Sequence, residues 1–202
     1  MISLMKLDLW LLRWGILFIL IFAPIAGAFF NTGASTTGLI LVFIMSLTLT
    51  QMDEKQKTRR FMLSLPLPLK AFFQARTFVV VLIGAAWVIL ESIGRIIGFG
   101  DVTFGIIFMQ AITQFATMIV LAPITIAMFT LLHHPVLKWG LTFIVYMAIV
   151  IIGTLFGFII NSFTNLGAFV YVLSVVLLIL SVVVCWLILL IANKIRAGRD
   201  LV

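Results

Sequence analysis

Long apolar runs separated by short polar breaks organise this chain, at about 12–30, 36–51, 75–98, 105–132, 138–161 and 168–192. A membrane-crossing helix needs about 20 apolar residues, with a range of roughly 17–25. Transmembrane β-strands would instead alternate in polarity over about ten residues. The stretch from Phe169 to Ala192 is almost continuously apolar, so helices are expected. A helix also satisfies its own backbone hydrogen bonds, which lipid cannot do. The second run is the shortest and most polar, with Ser46, Thr48 and Thr50 toward its end. The pattern predicts an all-α integral membrane protein: six transmembrane helices forming one domain over residues 1–202. Neither a low-complexity linker nor a repeat of the 20–50-residue kind interrupts it.

Composition narrows the class. Of 202 residues, 64% are hydrophobic and 9% charged, and 19 are Phe. A soluble domain is roughly 25% charged, and a disordered chain is poor in aromatics, so both are excluded. The loops left between the spans are too short for a soluble catalytic domain. The single Cys185 has no intrachain partner and says nothing about redox compartment.

The net charge of +7 changes the picture more. Nucleic-acid binding would need a basic stripe on a soluble face, whereas here the cations flank apolar runs. Lys6, Arg13, Lys55, Lys57, Arg59, Arg60, Lys70, Arg76, Lys138, Lys194, Arg196 and Arg199 all fall on one side if six spans are correct. Only Arg95 falls on the other. The positive-inside rule then places both termini in the cytoplasm, with the bacterial cell membrane as the expected location. Ala26-Gly27-Ala28 resembles a signal-peptidase site, but the apolar run is long for a signal peptide and contains Pro24. The first span is therefore expected to be retained.

Residues 53–76 form the only extended polar stretch, D-E-K-Q-K-T-R-R-F-M-L-S-L-P-L-P-L-K-A-F-F-Q-A-R. Asp53, Lys57 and Arg60 can share one side of a short helix, with Phe61, Met62 and Leu65 on an apolar side. Pro66 and Pro68 then break it, and a new helix starts from Leu69 into the third span. One reading is a basic loop touching anionic headgroups; the other is a docking element for a cytoplasmic protein.

The order Asp53-x-Lys55-x-x-x-Arg59-Arg60-Phe61-x-x-Ser64-Leu65-Pro66-x-x-x-Lys70, continuing to Ala75-Arg76, resembles the loop between helices two and three of ABC-2 type permeases. The similarity is to the short six-helix bacterial form without an ATPase domain in the same chain. It implies that residues 52–74 are a cytoplasmic coupling segment seated on an ATP-hydrolysing subunit. Asp53, Glu54, Lys55, Lys57, Arg59, Arg60, Phe61, Ser64, Leu65, Pro66, Pro68 and Lys70 would make that contact. It further implies an exporter built from two permease subunits, identical or different, and two ATPase subunits. In size and general character the chain is similar to permeases of phenol-soluble modulin exporters of Gram-positive bacteria, which move amphipathic peptides. The segment before the first span, residues 1–13, is short for the elbow helix of such relatives. Residues 161–167 leave no room for their re-entrant helices between spans five and six.

No G-x-x-x-x-G-K-[ST] segment is present, and Gly94-Arg95-Ile96-Ile97-Gly98 is not one. Such a segment is what cradles phosphates. The chain is accordingly expected to be no enzyme and to hold no cofactor, with ATP and Mg²⁺ on the partner subunit.

Polar residues inside the apolar runs are the remaining candidates. Glu91 and Arg95 are four apart on the third span, in the favourable acid-first order. Arg95 is expected near the outer interface, where it can snorkel, with Glu91 deeper and costly unless paired or neutral. A self-neutralising pair is the plain reading and a gate or proton-sensitive latch the sharper one. Gln110, Thr113, Gln114 and Thr117 share one face of the fourth span. They suit either interhelical hydrogen bonding or a translocation route. Pro123 is a candidate kink on that helix, and Gly153-x-x-x-Gly157 a close-packing face. The large Phe and Ile content reads as lipid-facing coat.

Three further classes compete. Glu91-x-x-x-Arg95 also resembles part of an intramembrane protease motif, but Leu90 replaces the second acid. His133 and His134, just before Pro135, lie at the opposite membrane face, too far for ligands that must converge on one ion. A six-helix substrate-capture protein of an importer would need polar outer loops, which are sparse here. An immunity-type membrane protein is the last alternative.

Overall fold

The computed structural model describes residues 2–29, 36–55, 69–98, 104–132, 134–162 and 168–199. These form seven helices: α1 (Ile2–Leu11), α2 (Arg13–Phe29), α3 (Thr36–Lys55), α4 (Leu69–Gly98), α5 (Phe104–Leu131), α6 (Pro135–Ser162) and α7 (Ala168–Arg199). No strand occurs among the described residues. Four segments, within α4, α5, α6 and α7, are long and apolar enough to cross a membrane. The bent pair α1–α2 makes a fifth if it counts as one crossing. The remaining expected span corresponds to α3, whose apolar part, Thr37–Gln51, is shorter. Its polar residues are satisfied within the helix: Ser46, Thr48 and Thr50 donate to the carbonyls of Val42, Ile44 and Ser46 at 2.8, 2.8 and 3.0 Å. Back-bonding of this kind removes most of the penalty for a hydroxyl in apolar surroundings.

The ends of the long polar stretch are helical. α3 runs to Lys55, and α4 begins at Leu69. Helical structure therefore replaces both ends of the loop expected over 52–74.

α5 is the central helix. In its most apolar window 72% is buried, against 11% for α7, and it packs on α3, α4, α6 and α7. The core joins Leu39, Val42 and Leu49 of α3, Val79, Val80 and Ile83 of α4, and Met118, Leu121 and Ile126 of α5. α7 turns Val170, Ser174, Ser181 and Ala192 inward and leaves Phe169, Val172, Ile179 and Trp186 exposed. Large exposed apolar faces on α2, α6 and α7 fit lipid as their solvent.

The most extensive helix pair is α2 on α4. Its cause is a crossing of small residues. A Cβ on Gly94 would strike the Pro24 carbonyl, one on Gly27 would strike the Glu91 carbonyl, and one on Gly98 would lie 2.7 Å from the Ala28 Cα. Helices in lipid lack a hydrophobic force between them, so backbone-to-backbone approach of this kind is a main source of affinity. Gly153 makes a looser version with Thr117 of α5, its Cβ position lying 2.8 Å from the Thr117 methyl. The side-chain surroundings of Gly157 lie outside the described residues. Pro123 is buried inside α5, which continues through it to Leu131.

Candidate functional site

Two buried charged clusters occupy opposite ends of α4. At about 1.5 Å per helical residue, Arg76 and Arg95 are separated by roughly 28 Å.

At the start of α4, Arg76 is 1% exposed, faces Asp8 of α1 at 3.8 Å, and lies 4.1 Å above the Phe72 ring. Leu4 of α1 packs with Ala75 beside it, flanked by Met5 and Phe72. A charge that cannot reach water needs an opposite charge or an aromatic face, and Arg76 has both. The pair clips α1 to the end of α4 that emerges from the polar stretch. Sequence reasoning assigned Arg76 only to the basic loop and missed Asp8. The usable signal was that Asp8 is the lone acidic residue ahead of Asp53.

At the far end, the Glu91 carboxylate is 1% exposed and accepts three hydrogen bonds. Trp87 Nε1 and Gln114 Nε2 donate to Oε2 at 2.7 and 3.0 Å, and Arg95 Nη2 donates to Oε1 at 2.6 Å. Arg95 Nη1 in turn donates to Gln110 Oε1 at 2.5 Å. Arg95 therefore does not snorkel; it is 6% exposed and held inward by Glu91 and Gln110. The reason is local: Gln110 and Gln114, one turn apart on α5, offer an acceptor and a donor at the spacing of the Glu91–Arg95 pair on α4. Buried networks are tolerated when their members are paired.

The acid–base pair and the polar stripe thus meet in a single cluster between α4 and α5. The stripe itself divides. Gln110 and Gln114 bond across to α4, whereas Thr113 and Thr117 donate to the carbonyls of Met109 and Thr113 on their own helix, both at 2.9 Å. Thr117 sets both its methyl and its hydroxyl against Gly153 of α6. Interhelical bonding therefore belongs to the two glutamines only.

Gly38 of α3 closes the cluster from a third side. A Cβ there would lie 2.7 Å from both Gln114 Nε2 and Trp87 Cδ1. Trp87, Gly38 and the Gly27–Gly94 crossing all escaped the sequence reading. Gly94 and Gly98 are four apart, which is a visible close-packing signature.

Of the proposed coupling residues, Asp53, Glu54 and Lys55 are on the last turn of α3, and Lys70 on the first turn of α4. Lys57, Arg59, Arg60, Phe61, Ser64, Leu65, Pro66 and Pro68 lie outside the described residues.

Comparison with known proteins adds one finding. A family model described as ABC-2 family transporter protein matches residues 3–195. Searches of curated proteins and of solved structures found no match.

Proposed function

Because the chain belongs to the ABC-2 family of transporter proteins, we propose that it is the permease subunit of an ATP-driven exporter in a bacterial cytoplasmic membrane. Two copies of a separate ATPase, with their ATP and Mg²⁺, would drive a pair of permease subunits, either identical or different. The cargo class that best suits the apolar build is amphipathic or apolar molecules such as cytolytic peptides. The family match over residues 3–195 carries this reading.

The described helices suit such a machine. α4 is one uninterrupted helix of 30 residues, from within the proposed coupling segment to the Glu91 cluster. At 1.5 Å per residue it is a rod about 45 Å long. Movement imposed at Leu69 would travel along it to α1 through Arg76, to α2 through Gly94, and to α5 through Glu91 and Arg95. ATPase closure would then shift several helices together, and the difference in cargo affinity between inward and outward states would set the direction of transport. For Gln110, Thr113, Gln114 and Thr117 to line the route, the seam between α4 and α5 would have to open, breaking the bonds of Arg95 and Glu91 to the two glutamines. That is the sense in which the pair would act as a latch.

The coupling assignment has a direct test. Reversing Arg59→Glu/Arg60→Glu places two negative charges in the segment proposed to seat on the ATPase. Co-purification of the ATPase with the permease is expected to be lost, with membrane insertion unchanged. Retention of the ATPase by this variant would remove the assignment.

A further inference from the structure

The bend between α1 and α2 carries an exposed cluster that the transport reading leaves unused. Leu4–Leu11 and Arg13–Phe29 meet at 61° around Leu12. The backbone nevertheless stays helical across the bend, with Leu12 N donating to Asp8 O at 3.0 Å and Ile16 N to Leu12 O at 2.9 Å. Lys6, Trp10, Arg13 and Trp14, spaced i, i+4, i+7 and i+8, therefore fall on one side, and all are exposed.

The Arg13 guanidinium carbon is 4.8 Å from the Trp10 ring centroid and 5.8 Å from that of Trp14. Those indoles are 59% and 71% exposed, so the cation and both rings are presented outward as a unit. The acid of α1 is turned the other way: Asp8 is 2% exposed and faces Arg76. The described charges on the outer side of α1 and its bend are thus the cations Lys6 and Arg13.

Depth fixes the solvent that this cluster meets. α2 has 17 residues beginning at Arg13, or about 25 Å of helix, against a hydrocarbon core of about 30 Å. Taken as the crossing by itself, with α1 bent away from it by 61°, α2 uses its whole length, which puts Arg13 and the neighbouring indoles at headgroup level. Tryptophan favours that layer because one edge of the ring is apolar and the other donates a hydrogen bond. A guanidinium offers a planar fork of donors matched to phosphate.

We propose that Lys6, Trp10, Arg13 and Trp14 form a docking site for anionic phospholipid headgroups, the two indoles lying among the glycerol backbones and the two cations holding the phosphate. Because Asp8 ties α1 to Arg76 on α4, lipid held there bears on the helix that leads to the Glu91 cluster. The site stands independently of the export reading, since it needs only that α2 meets a membrane surface at Arg13.

The test uses the full chain in vesicles of phosphatidylcholine with a graded fraction of phosphatidylglycerol, with bromine on the acyl chains of one lipid at a time. Excess quenching of tryptophan fluorescence by brominated phosphatidylglycerol over brominated phosphatidylcholine reports enrichment of the anionic lipid. Enrichment is expected for the wild type. The apparent association constant is expected to fall about fivefold for each cation removed in Lys6→Gln and Arg13→Gln, the effect of about one charge near an anionic surface. Trp10→Phe/Trp14→Phe removes the indoles that report on the bend, so the excess should vanish, and an undiminished excess seen through Trp87, Trp139 and Trp186 would place the enrichment elsewhere and overturn the site; Lys194→Gln, at another exposed cation, should leave the wild-type excess intact. Equal quenching by the two lipids in the wild type would overturn the proposal. So would full enrichment in Lys6→Gln/Arg13→Gln, or an equal loss in Lys194→Gln.

Discussion

Glu91→Ala is expected to leave little folded protein, with a loss of stability of about 3–5 kcal/mol, the usual effect of removing one partner from a buried ion pair. Arg95 is 6% exposed and sits between Glu91 and Gln110. Without the carboxylate its charge would have only an amide oxygen to face, and Trp87 and Gln114 would each lose an acceptor. Arg95→Met in the Glu91→Leu background should restore part of the stability, because the uncompensated charge goes and comparable volume remains. Thermal unfolding in detergent, followed by size-exclusion elution, measures both. Wild-type stability in Glu91→Ala would show that the cluster does not hold α4 to α5. Glu91→Gln separates structure from action: it keeps an acceptor and removes the charge. If the pair works as a latch, this variant assembles but transports differently; unchanged transport and assembly would end the latch reading.

The second large effect is expected at Gly94. In an ordinary exposed helix position, Gly→Ala stabilises by about 1 kcal/mol through helix propensity. Gly140 of α6, whose added Cβ meets nothing within 4 Å, should behave that way. At Gly94 the added carbon would meet the Pro24 carbonyl, which is backbone and has no rotamer by which to move aside. Gly94→Ala should therefore destabilise despite its better propensity, and Gly94→Leu by about 1–3 kcal/mol or more, the range for overpacking. The same unfolding measurement on the three variants reads the contrast. If Gly94→Ala matched Gly140→Ala, the α2–α4 crossing would have to be looser than described.

These two sites show how far the sequence alone reaches. Apolar runs give helix existence directly, because a span must be long and bare whatever it packs against; the start of α4 at Leu69 followed from the Pro66–Pro68 break in the same way. α3 was harder. Its polar end is compatible with lipid only because each hydroxyl bonds back to its own helix. Glu91, Arg95, Gln110 and Gln114 were legible as costly intramembrane polar groups. Their meeting was not, since periodicity reports the face of one helix and says nothing about which neighbour that face meets. Snorkelling was a fair expectation for an arginine near a helix end, and Gln110 overrode it. Asp8 and Arg76 are far apart in sequence, so only the packing of α1 on α4 could join them. Gly94 and Gly98 did carry a readable small-residue spacing. Their role was hidden because Gly27 and Pro24, the other half of the crossing, lie on another helix.

The proposal as a whole turns on whether this chain and a separate ATPase together move cargo at the expense of ATP. The most direct measurement is reconstitution of the permease with its co-purifying ATPase in liposomes, with the ATPase facing outward and a fluorescent amphipathic peptide outside. ATP-dependent accumulation of peptide in the lumen, absent when either subunit is left out and lost with Arg59→Glu/Arg60→Glu, is the predicted result. ATP-driven release of preloaded peptide from the lumen, or accumulation that proceeds equally without the ATPase, would contradict it.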